Sequence, residues 1–144
     1  MVLHPYDFKS IVPTLSWTVL FHDEFDREYR TLAKGLQDEL LAHALLLSQF
    51  GPGLGRPTVD TLKGSKHANM KELRFGWQGE VWRVAFAFDP DRQAILLVGG
   101  DKGGADQKRF YKRLIGLADA RFDMHLASLA TVAARKKKRH AKNS

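Results

Sequence analysis

The chain has 144 residues, a formal net charge of +7 and no cysteine. That is the length of one domain with a full hydrophobic core, and it excludes disulfides and any Cys-based zinc or redox site. No apolar run approaches a membrane span, and Met1 to Ser10, with His4, Asp7 and Lys9, lacks the apolar core of a signal peptide, so a cytoplasmic protein is the expectation. The charge is unevenly spread: residues 1–55 hold an excess of acid, while residues 135–144 carry six Lys or Arg and no acidic residue. We therefore take residues 1–134 as a single domain and 135–144 as a basic, disordered tail.

Residues 1–14, interrupted by Pro5 and Pro13, read as an extended lead-in. Leu15, Trp17, Val19 and Phe21 alternate with smaller or polar residues, the pattern of a first strand. Asp23 stands at an N-cap position, with Glu24 and Asp26 in the turn behind it. Phe25, Tyr29, Leu32, Leu36, Leu40 and Ala44 then recur at helical spacing as far as about Phe50. Gly35 marks a bend or break, giving a helical hairpin or one kinked helix. Gly51 to Pro57 ends helical structure; with no strand before it, this Gly-rich run is a turn and not a nucleotide loop. Thr58 to Asn69 is a polar loop carrying Lys63, Lys66 and His67.

Met70 to Phe88 reads as a hairpin, with Gly76 and Gly79 bracketing the reversal. In its first arm Lys71, Leu73, Phe75 and Trp77 share one face, and Glu72 and Arg74 the other. In the second, Trp82, Val84, Phe86 and Phe88 form a bulky face, which predicts a sheet covered on that side. The reverse face holds Val81, Arg83, Ala85 and Ala87. Two readings of that small face stand. It is a solvated surface on which Arg and Glu pair, or it is an open floor where a guanidinium binds phosphate or carboxylate.

Ala94 to Gly100 is an apolar run, the pattern of a central strand buried on both faces. The Gly-rich loop after it presents Lys102 but lacks the order of a P-loop. Asp106 can open a last helix with the stripe Tyr111, Leu114, Ile115, Ala118 and Phe122, basic on its other side through Lys108, Arg109, Lys112 and Arg113 and running to about Ala134. The run Arg135 to Arg139, including Lys136 and Lys137, suits nonspecific phosphate contact.

The six His show no paired ligand spacing, and no Gly-x-Ser-x-Gly elbow occurs, so no metal or other cofactor is expected. What remains is a set of cations around one sheet: Lys71, Arg74, Arg83 and Lys102, with Lys108 and Arg109 nearby. Such a set fits polyanion recognition. It also fits RNA cleavage in which a 2′-hydroxyl attacks the adjacent phosphate and the protein stabilises the extra charge.

The order of strand, helical hairpin, Leu-Lys-Gly loop, Glu-Leu-Arg strand, Trp-Arg-Val-Ala-Phe strand, apolar strand ending Gly-Gly-Asp-Lys and helix opening Arg-Phe-Tyr-Lys resembles the phage-derived branch of the RelE/HigB toxins of type II toxin–antitoxin modules. The resemblance covers roughly residues 15–125. It implies an α/β fold of the α+β type: a small, antiparallel-rich sheet with an N-terminal helical hairpin, a C-terminal helix and its helices on one face. It also implies a metal-independent mRNA endonuclease acting on ribosome-bound mRNA, and a cognate antitoxin with a helix-turn-helix domain. By the same resemblance Arg83 matches the phosphate-binding arginine, and Arg74, Lys102 and Tyr111 match further catalytic positions, with Phe110 able to take the place of Tyr111. Lys63, Lys71, Lys108, Arg109, Arg135, Lys136 and Lys137 fall to RNA binding. The close lysine pair of RelE's own strand is not reproduced, so the general base stays unassigned. A ParE-like inhibitor of DNA gyrase and an inactivated binding module stay open as alternatives.

Overall fold

The computed structural model describes residues 17–104 and 106–143; the predicted lead-in over residues 1–14 lies outside them. Its centre is the hairpin of β3 (Met70–Trp77) and β4 (Glu80–Phe88). The two-residue connection, Gln78-Gly79, has positive φ at both positions, 48° and 77°. That is the turn whose twist matches paired strands. It sets the register from Trp77 opposite Glu80 to Met70 opposite Ala87.

β5 (Gln93–Asp101) runs antiparallel to β4, with a bulge opposite the Ala85–Phe86 step. β1 (Thr18–Phe21) lies parallel to the first half of β5, and β2 (Val59–Thr61) antiparallel to β3. The strand order is β1-β5-β4-β3-β2, so the apolar run from Ala94 is central, as its composition predicts. β2 falls within the predicted polar loop. Only Val59 of its three residues is buried, and pairing with Leu73 makes the strand where no local pattern announces one.

The helical hairpin is two helices, α1 (Asp23–Arg30) and α2 (Lys34–Phe50). Asp23 is not the cap but the first helical residue; His22 caps, its Nδ1 accepting from the Glu24 amide at 3.2 Å. The break precedes Gly35. A Cβ at that glycine would stand 2.5 Å from the Trp77 ring, so the residue serves close approach of helix and hairpin. Both helices pack on the bulky face, where Phe25, Leu36, Leu40 and Leu47 meet Leu73, Phe75, Val84 and Phe86.

The other face is covered too, contrary to the expected one-sided sheet. Helix α3 (Gln107–Asn143) lays Leu114, Ala118 and Phe122 against Met70, Ala85, Ala87 and Ile95. The alanines are small because a helix seats on them. They do not leave an open floor.

α3 also corrects the tail. It continues as helix through Arg135, Lys136 and Lys137 to Asn143, with every side chain from Thr131 to Lys142 exposed. Alanine, lysine and arginine are strong helix formers, and cations at a helix C-terminus meet the favourable end of its dipole. Among the described residues no helix is long and apolar enough to cross a membrane.

Arg121 joins three elements. Its guanidinium donates to both Glu28 carboxylate oxygens, at 2.8 and 2.7 Å, and to the Leu97 carbonyl at 2.8 Å, while the residue is only 8% exposed. Arg121→Ala would strand that carbonyl without a donor. We expect a loss of about 1–3 kcal/mol in urea unfolding, partly recovered by Arg121→Lys.

Candidate functional site

The covered face has a gap where α3 begins, near the turn end of the hairpin. There the register sets Arg74 directly opposite Arg83. Side chains so paired stand about 5 Å apart at Cβ, and like charges there repel. The surroundings soften this. The Arg83 guanidinium carbon lies 5.9 Å from the Phe110 ring centre and 5.7 Å from that of Tyr111, within cation–π range. Its Nη1 donates to the Val81 carbonyl at 3.1 Å, and its buried Nε has no partner.

Below the arginines lies Glu72, 5% exposed. Its Oε1 accepts from the Tyr111 hydroxyl at 3.3 Å and stands 3.8 Å from Arg74 Nε, an ion pair too long for a hydrogen bond. Its buried Oε2 is unpartnered. Burial raises the Glu72 pKa above its ordinary 4.5, opposed by the Tyr111 hydroxyl, Arg74 and Arg83. Burial and then the Glu72 carboxylate raise the Tyr111 phenol above 10.0, so it keeps its proton at neutral pH.

These four side chains line an open cleft of about 800 Å³, which Arg56, Asp60, Lys63 and Gln107 complete. Lys63 is held on the rim by its loop's attachment to α3. Ser65 Oγ donates to Asp119, the Lys66 amide donates to the same carboxylate at 3.1 Å, and His67 Nε2 is 2.8 Å from Asp123 Oδ1. Lys66 is itself paired with Asp123.

The sequence-predicted residues thus divide. Arg74, Arg83, Tyr111 and Lys63 come together. Lys102 and Arg109 instead line a second cleft on the far side of α3's first turns, with Phe110 on the ridge between the two. Lys71 shares its face with Leu73 and stands opposite Phe86, away from the cleft. Lys108 is exposed on α3's first turn, where Asp106 caps its amide at 2.8 Å. Arg135, Lys136 and Lys137 begin 24 residues beyond Tyr111, about 36 Å along the helix. Of the two residues the resemblance left open for one position, both Phe110 and Tyr111 stand beside Arg83, and Tyr111 also hydrogen-bonds Glu72. Arg56, Asp60 and Gln107 join the cleft without having been singled out in the sequence. Strand alternation had put Glu72 beside Arg74; its burial depends on α3.

Residues 27–123 match the family described as "Phage derived protein Gp49-like (DUF891)", and the chain belongs to that family. It is similar to two Mycobacterium tuberculosis proteins named as toxins, HigB2 and HigB3. Identity to HigB2 is 49% over 96 residues, covering 65% of this chain, and to HigB3 54% over 83 residues, covering 58%. The chain spans about half of HigB2, 47%, and 70% of HigB3. A solved structure of an E. coli RelE toxin mutant in the free state superposes with a TM-score of 0.49 at 10% identity, covering 70% of this chain and 95% of that one.

A raised carboxylate pKa has a sign. The folded protein then holds the Glu72 proton more tightly than the unfolded chain, so this group's contribution to stability falls as pH rises from about 4.5 through the folded value. Glu72→Gln should therefore be at least as stable as the parent at pH 7. The advantage should shrink to nothing below the ordinary carboxylate range, as read from urea unfolding at about pH 3 and pH 7.

Proposed function

We propose that this protein is the toxin of a toxin–antitoxin module and that its cleft cleaves RNA, cutting ribosome-bound mRNA in the cytoplasm and held in check by a cognate antitoxin of the helix-turn-helix type. The observation that carries the reading is the facing pair Arg74 and Arg83 over a buried carboxylate. Two cations held side by side against their own repulsion gain most from a ligand carrying concentrated negative charge, and a phosphodiester passing through an added-charge phosphorane is such a ligand. Similarity to the toxins HigB2 and HigB3, at 49% and 54% identity, supports the same reading.

The reaction we infer uses side chains alone. Arg83 and Arg74 hold the non-bridging oxygens of the scissile phosphate. The ribose 2′-hydroxyl approaches the Tyr111 oxygen, which takes its proton while passing the phenolic proton to Glu72, its hydrogen-bond acceptor at 3.3 Å. The freed 2′-oxygen forms its bond to phosphorus as the bond to the 5′-oxygen breaks. Water at the open mouth of the cleft protonates that leaving oxygen. The products are a 2′,3′-cyclic phosphate and a 5′-hydroxyl end. Glu72, its pKa raised by burial, is a stronger base than a solvated carboxylate, and it then loses its proton back to solvent through the same phenol. Lys63 and Arg56 on the rim hold flanking phosphates. The catalytic set is therefore Arg83, Arg74, Tyr111 and Glu72. Lys102 stands outside it, lining the other cleft.

Arg83→Ala should lower the rate of cutting by on the order of a hundred- to a thousand-fold. Its circular dichroism should be unchanged, because the side chain is only half-buried and seats no core residue. Arg83→Lys should recover part of the activity, since an ammonium cannot make two parallel hydrogen bonds. Tyr111→Phe should lower the rate while leaving RNA affinity near the parent's. The readout is primer extension on mRNA from cells induced for each variant. Intact transcripts with arrested translation would overturn the cleavage reading, and intact transcripts with failed supercoiling would replace it with gyrase inhibition.

The exposed basic end of α3 is the second element of this reading. Truncation after Ala134 should reduce affinity for single-stranded RNA. It should also flatten the salt dependence by about 0.7 log units per log salt for each phosphate that the shortened chain no longer neutralises. Equal slopes for the full chain and the truncated one would show the basic end to be a spectator.

A further inference from the structure

The second cleft, about 530 Å³, follows a strand edge that is unpaired among the described residues. β1 pairs with β5 only from Gln93 to Leu96; beyond that point no described strand lies on that side of β5. The Leu97 carbonyl is taken by Arg121, and from Val98 to Lys102 no described residue pairs with the edge along the cleft wall. Its backbone is accessible. Gly99 and Gly100, which are backbone only, are half-exposed, whereas Ala94 to Val98 are all buried. The cleft's walls are apolar, built from Leu32, Val98, Phe110, Leu114 and Leu117. Its rim is cationic through Lys102, Arg109 and Arg113. Of the two carboxylates present, Glu28 is already neutralised by Arg121, leaving Asp101.

We propose that this cleft binds a partner's extended acidic–apolar segment, which adds as a short strand to the free edge of β5. A free edge supplies main-chain hydrogen bonds, and alternate side chains of an added strand point to opposite sides. One set can then fill the apolar wall while the other sets carboxylates against Lys102, Arg109 and Arg113. The edge is about 13 Å long, room for four or five residues. RNA fits less well, because a nucleotide has no use for a strand edge and the phosphate-binding arginines lie across the Phe110 ridge. Identifying the partner as the antitoxin rests on the function proposed above; the groove itself does not.

The test is a titration of the isotope-labelled full-length protein with pools of synthetic octapeptides, read by amide shifts and hydrogen exchange. One pool alternates Glu or Asp with Leu, Val or Ile; a second carries Lys at the acidic positions; a third carries the acidic sequences N-methylated at alternate amides. The acidic pool should shift the amides of Val98 to Lys102 and slow their exchange. Affinity should fall at least tenfold for the other two pools, and likewise for the Arg109→Glu/Arg113→Glu double variant with the acidic pool. Unmoved amides, or equal binding by the N-methylated pool, would overturn the proposal. So would stronger shifts of the same amides by octauridylate, which would make the cleft a nucleotide site. Amides already slow to exchange in the protein alone would give the groove to residues 1–16, and that too overturns it. RNA cutting is measured on the same samples. Arg83→Ala should slow cutting on the order of a hundred- to a thousand-fold and keep peptide binding, so failure of the groove and failure of the proposed function are read separately.

Discussion

The seating of Leu114, Ala118 and Phe122 on Ala85, Ala87 and Ile95 sets where α3 starts, and the geometry of the Arg74–Arg83 cleft depends on that start. A helix lies this close to a sheet only over small residues, and close packing leaves little freedom to slide. With those contacts fixed, Phe110 and Tyr111 must emerge beside Arg83, and the phenol must fall on Glu72. A larger residue at Ala85 would lift the helix and separate the phenol from its carboxylate before it disturbed the α1–α2 side. Core packing and cleft geometry are therefore one constraint here.

The cleft also holds the molecule's unfavourable electrostatics. Glu72 Oε2 and Arg83 Nε are the two buried side-chain polar atoms without a hydrogen-bond partner among the described residues, and both belong to it. Each orphaned group costs on the order of 1–3 kcal/mol. Elsewhere buried polar groups are well served. Asp89 accepts from the amides of Asp91 and Gln93 and lies 2.7 Å from His125 Nε2, while Arg121 is satisfied on three sides. The contrast fits a surface arranged for something that binds there and not for the stability of the free protein.

Much of this was legible in the chain because period-two alternation with bulky side chains is hard to mistake. Leu73, Phe75, Trp82, Val84 and Phe86 declare a core face, and Arg74 and Arg83 fall on the reverse by parity alone. The rest turned on residues whose meaning is set by what lies across from them. Ala85 and Ala87 suit open space as well as a helix seat, and only the seat is true. Val59 to Thr61 is too short for any period to show. Lys102 and Arg83 lie near each other in the sheet register, with Arg83 opposite Gly100, yet α3's first turns come down between their clefts. Arg135 to Arg139 reads as solvated by charge, but charge does not decide helicity, and the same residues extend a helix already begun.

That unbroken helix makes the protein a ruler. Tyr111 near one end and Arg135 toward the other sit on one continuous helix, about 36 Å apart along its axis. Under the proposed function, a short oligonucleotide at the cleft would meet one set of cations, while a strand long enough to span the gap would meet two. The second contact is then intramolecular, so affinity should rise in a step at a threshold length and not smoothly with each added nucleotide. The position of that step would measure the helix.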